Sequence, residues 1–213
     1  MADYAWGDDP VIVIMILACT LAGVISIPRF QRMIPYVVGS MFRWKATMWI
    51  DESVPLSRDR NLLFAVCVLP LCLICSKYYL YAPEVLQGLS PWQHTLALVG
   101  VVMGILLYKA LFTRILSRRL GDGVWIVFYN DFNRFIIVAV AFMFLGGLLP
   151  LAKVLVPTVR TILFAVYAVA FASFFYKNWQ ILSWKGLRFK AILYLCGLEL
   201  APLVLLVTGS LIF

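Results

Sequence analysis

Residues 92–115 read WQHTLALVGVVMGILLYKALFTRI, and between Thr95 and Thr113 the one charged residue is Lys109. An α-helix rises 1.5 Å per residue, so about 20 apolar residues span a hydrocarbon core of about 30 Å. This stretch is therefore read as a membrane-spanning helix. Further runs of the same character lie at about Val11–Ile27, Asn61–Ala82, Phe132–Ala152, Pro157–Trp179 and Leu187–Phe213. The expected fold is all-α: one integral membrane bundle over residues 1–213 with six transmembrane helices.

Composition agrees. The chain is 64% hydrophobic and 13% charged, whereas soluble domains run at roughly half apolar and a quarter charged. The net charge of +8 would suit nucleic acid only if it formed a basic face on a soluble surface. Here the basic residues separate apolar segments, so a lipid bilayer is the expected surrounding and nucleic acid is not an expected partner.

The loops carry the orientation. Arg29, Arg32, Arg43, Lys45, Arg58 and Arg60 follow the first stretch; Arg114, Arg118, Arg119 and Arg134 flank the third connection; Lys177, Lys185, Arg188 and Lys190 flank the fifth. Lys77, Lys153 and Arg160 stand near the opposite helix ends. The positive-inside rule then puts both termini on the non-cytoplasmic side of a multi-pass protein. The first stretch follows Asp3, Asp8 and Asp9 rather than a basic region, so it is expected to be retained as a membrane helix and not cleaved as a leader.

Residues 29–60 form the longest connection, expected as a cytoplasmic interfacial loop. It mixes arginines with Phe30, Tyr36, Phe42, Trp44 and Trp49, which suits a segment lying among anionic headgroups, and it also offers a docking surface to a cytoplasmic partner. Ser57 is the expected N-cap of the second helix. His94 stands alone at an aromatic outer belt, without the second ligand that haem or metal ligation requires. The cysteines all fall in apolar runs, where a thiol acts as a small hydrophobe, so no metal and no cofactor are expected. Gly100 with Gly104, and Gly197 with Ala201, have the spacing that lets helices approach closely, for packing in the bundle or between copies.

One polar site stands out. Glu199 is the one acidic residue within the six apolar stretches, in YLCGLELAP (residues 194–202), and Pro202 is expected to free the carbonyl of Leu198 beside it. An ionisable group at that depth costs about 2.5 kcal/mol or more and marks a functional or buried contact. Lys109 is the natural counter-ion, one to two turns nearer the cytoplasmic side, unless it snorkels to the surface. Asn130, Asp131, Asn133 and Arg134 open the fourth helix as a polar rim that could extend the site.

Lys109, the block Gly146-Gly147-Leu-Leu-Pro150 and the block Tyr194-Leu-Cys196-x-x-Glu199-x-x-Pro202 together resemble the multi-pass membrane proteins catalogued as domain-of-unknown-function family 4271 of Bacteroidota. The resemblance covers residues from about Leu56 onward. It implies a protein of the inner membrane of a Gram-negative envelope and brings no chemistry or cofactor with it.

Function is bounded rather than named. There is no nucleophile-base pair or repeated acidic motif from which to build an enzyme. The expected role is a non-enzymatic inner-membrane subunit or assembly component, joined to a membrane-protein partner or to further copies of itself. The alternative is a small ion-coupled transporter that uses Glu199.

Overall fold

A computed structural model describes residues 9–42, 49–81, 83, 86, 88–120, 123–151, 153, 155–184, 195–202, 204 and 208. The main elements are α1 (Pro10–Phe42), α2 (Val54–Lys77), α3 (Pro91–Leu120), α4 (Gly123–Leu151), α5 (Val156–Trp184) and a π-helical turn (Cys196–Leu200). All five α-helices are long and apolar enough to cross a membrane. The sixth expected span, Leu187–Phe213, lies mostly outside the described residues.

α2 is the central helix, packing against α1, α3 and α4, while α4 also packs along α5. From Leu62 to Cys75 its sequence is apolar on all sides, which is what a helix surrounded by others requires. Leu63, Phe64, Val68 and Cys72 form one cluster with Met33 and Val37 of α1, Leu98 of α3 and Ile136 of α4. Cys67 and Leu71 face a second cluster with Val138, Ala139 and Phe142 of α4 and Leu163 and Ala170 of α5. His94 is buried, its Nδ1 3.0 Å from the Ser76 hydroxyl of α2.

Helix boundaries differ from the sequence reading in three places. Residues 29–42, expected in the interfacial loop, continue α1 through Pro28 and Pro35. The four-residue spacing of buried Met33 and Val37 explains this: packing on α2 holds the helix where each proline removes a backbone bond. Ser53, not Ser57, is the N-cap of α2; Pro55 fits the first turn, and the Ser57 hydroxyl donates back to the Val54 carbonyl at 3.0 Å. Finally, α4 begins at Gly123, so the polar run at 129–134 lies well inside that helix rather than at its start.

Buried charge also pins the start of α2. Arg60 is 1% exposed; it pairs with Asp51 and lies 4.6 Å from the centre of the Tyr129 ring. Burial raises the Asp51 carboxyl above its usual range, and the Arg60 guanidinium opposes that shift. At the other end of α2, Gly146 of α4 lets the helices close: its carbonyl accepts from the Tyr78 hydroxyl at 2.9 Å, and a Cβ there would meet Ile74 at 3.2 Å. The block at 146–150 is helical through Leu151; within it Gly146 packs on α2, while Gly147, Leu148 and Pro150 are exposed.

Candidate functional site

Moving the start of α4 back to Gly123 turns the expected rim into the centre of the site. Asn130, Asp131 and Arg134 are spaced to share one side of that helix. Lys109 reaches them from α3, and Glu199 from the π-helical turn. Lys109 Nζ lies 2.7 Å from Asp131 Oδ2 and 3.2 Å from Glu199 Oε1. Arg134 closes the other side, 2.9 Å from Glu199 Oε2 and 3.1 Å from Asp131 Oδ1. The second of these is an ion pair without hydrogen-bond alignment, since Asp131 Oδ1 has no hydrogen-bond donor among the described residues. Each carboxylate therefore faces both cations.

The sequence reading set Glu199 apart as the lone intramembrane acid and Lys109 as its one basic neighbour. The structure corrects both points: Asp131 lies inside a candidate membrane span, Val124–Leu151, and Arg134 binds Glu199 more closely than Lys109 does. Lys109 does not snorkel; it is 5% exposed. The expected offset of one to two turns between Lys109 and Glu199 is absorbed by the length of the lysine stem and by the π-helical register.

That register relocates the role of Pro202. The Ala201 amide donates to the Cys196 carbonyl, five residues back. In the same pattern the next bond would run from residue 202 to Gly197, and a proline has no amide proton to give. That register leaves the Gly197 carbonyl open, and the Tyr108 hydroxyl donates to it at 3.0 Å. A Cβ on Gly197 would meet the Phe112 ring at 3.1 Å. Gly197 is thus a point of close approach between the turn and α3, whereas at Gly100 and Gly104 a Cβ would meet nothing within 4 Å among the described residues. Ala201 is half-buried.

Two further participants escaped the sequence reading. Asn178 of α5, fully buried, donates to Glu199 Oε1 at 3.2 Å and accepts from Asn130 at 2.8 Å, adding a fourth element to the site. Lys177, expected near a loop, is buried on α5 and donates to the Ser40 carbonyl of α1 at 2.7 Å. The available signal was the adjacent polar pair Lys177-Asn178 late in an apolar helix. Asn133, in contrast, is buried with neither amide atom partnered among the described residues.

With two anions against two cations, the cluster is internally neutral. It can fix the π-helical turn against α3, α4 and α5. Among the described residues no group of three or more His, Cys, Asp or Glu side chains is placed to hold a metal ion.

A family model described as a domain of unknown function, DUF4271, matches residues 11–209. The chain belongs to this family. The DUF4271 match takes in α1, so the domain begins well before Leu56, where the resemblance in the sequence begins. It also contains every member of the charge cluster. No curated protein and no solved structure matches the chain. The five apolar helices of this DUF4271 protein fit a membrane protein.

Proposed function

We propose that this protein is a non-enzymatic component of an inner-membrane assembly, with both termini on the non-cytoplasmic side. The observation carrying this reading is the closed charge cluster: Lys109, Asp131, Arg134 and Glu199 neutralise one another and tie α3, α4 and the final turn into one block. Replacing buried ion pairs by apolar residues is often neutral or stabilising, so their use here suits a demand for a defined arrangement more than for stability. Among the described residues a Cβ at Gly100 or Gly104 of α3 meets nothing within 4 Å, and this face is one on which another membrane helix could pack. Residues 29–60 supply the basic, aromatic segment that suits contact with the cytoplasmic side. The test is purification in mild detergent with the mass of the complex measured. Wild type is expected to exceed the mass of one chain plus its detergent, and Gly100→Leu with Gly104→Leu to fall to it. A wild-type protein that always runs as a single chain overturns the reading.

Ion-coupled transport is the second reading, favoured by the buried amide of Asn133, two residues from Asp131 and without a partner among the described residues. It requires one carboxylate to exchange its partners during turnover. Glu199→Gln keeps the shape and removes the charge. If that variant retains full cellular function, transport through Glu199 is excluded.

A further inference from the structure

α1 and α2 flank a half-open cavity of about 640 Å³ lined by Ile25, Arg29, Arg32, Arg58, Asp59 and Leu62, together with the first residues of α2. Three guanidinium groups face one carboxylate. Asp59 lies 3.7 Å from Arg29 and 3.3 Å from Arg32, which holds those two side chains toward α2. Arg58 is exposed and has no partner among the described residues. At the same mouth, the Ser53 side chain makes no capping bond, so the first amides of α2 are left without an acceptor from it. The charge balance and the uncapped helix start both call for an anion.

The rest of the lining is apolar. Ile25 and Leu62 form the wall on the membrane side, Val54 lies at the mouth, and Ile25 continues into the exposed apolar face of α1 at Leu21 and Val24. Depth fits this division: Arg29 stands about 28 Å along the helix axis from Pro10, close to the thickness of a hydrocarbon core. The arginines are thus level with headgroups while Leu21, Val24 and Ile25 are level with acyl chains. A free phosphate would use only the basic half of such a cavity.

We infer that this cavity binds an anionic glycerophospholipid, its phosphate between Arg32 and Arg58 and one acyl chain along α1 beside Ile25. This site is separate from the charge cluster and stands whether or not the assembly reading holds.

Native mass spectrometry of the full chain in detergent tests it, with phosphatidylglycerol or phosphatidylcholine added. Wild type should retain phosphatidylglycerol and not phosphatidylcholine. Arg32→Gln with Arg58→Gln should lower the retained phosphatidylglycerol by about tenfold or more, given the attraction of each basic residue to anionic lipid. Arg114→Gln with Arg118→Gln, exposed on α3, removes the same charge elsewhere and should leave retention unchanged. Leu62→Trp fills the apolar wall without altering charge and should also displace the lipid while melting like wild type; it decides the matter if the arginine variant fails to fold. Equal losses from the two arginine pairs, equal retention of the two lipids, or retention by a folded Leu62→Trp protein overturns the proposal. Displacement of the lipid by inorganic phosphate would make this a site for the free anion and overturn the lipid assignment.

Discussion

Lys109 is the residue through which the charge cluster is most directly tested, because its amine contacts both carboxylates. Lys109→Met preserves the apolar stem and leaves Asp131 and Glu199 sharing Arg134 alone. Breaking one partner out of a buried set typically destabilises by about 3–5 kcal/mol. Thermal unfolding in detergent should therefore show a clear fall in Tm. Adding Asp131→Leu removes the uncompensated anion, so the double variant should melt above Lys109→Met; a double variant that melts lower would show that the charges act independently. Glu199 and Lys109 were legible in the sequence because each is a lone charge in a long apolar run. Asp131 and Arg134 read as a rim in the sequence, because the polar run at 129–134 sits where the fourth apolar stretch begins, at about Phe132. Their i, i+3 pairing within a helix shows only once the cations and anions are matched across elements.

At the scale of the helix, adjacent glycines in α4 should respond in opposite directions. A Cβ at Gly146 would come within 3.2 Å of Ile74, and the backbone there also accepts from Tyr78. Gly146→Val should push α4 off α2 and cost about 1–3 kcal/mol, as overpacked cores do. A Cβ at Gly147 meets nothing within 4 Å among the described residues. Gly147→Ala should thus gain up to about 1 kcal/mol of helix propensity. Comparing the two melting temperatures in one detergent checks both; a stabilising Gly146→Val would refute the close packing. The number and order of the first five helices follow from apolar length alone. Their ends do not, since Met33 and Val37 carry α1 past two prolines only because α2 offers them an apolar surface. That surface belongs to another part of the chain and leaves no local signal at residues 29–42.

Across the whole molecule, a polar contact joins the end of α1 to α5. Lys177 Nζ donates to the Ser40 carbonyl, linking the cytoplasmic-side end of α1, on the proposed orientation, to a helix 137 residues away in sequence. That carbonyl lies three residues beyond Val37, the last α1 residue in the apolar cluster with α2. Below this point side-chain packing holds α1; at Ser40 the lysine supplies the hold. Lys177→Met keeps most of the stem but removes the donor, leaving a buried carbonyl whose unmet bond costs about 1–3 kcal/mol. Relief comes most readily by opening the end of α1 to water, because local unfolding begins where few apolar contacts resist it. Hydrogen exchange read by mass spectrometry should therefore quicken in peptides covering residues 37–42. Peptides from α3 and α4 around Lys109 and Asp131 should keep their protection, because the charge cluster does not depend on Lys177. Unchanged exchange at 37–42 would mean that apolar contacts alone hold α1, whereas faster exchange in α3 and α4 as well would make Lys177 a support of the entire bundle.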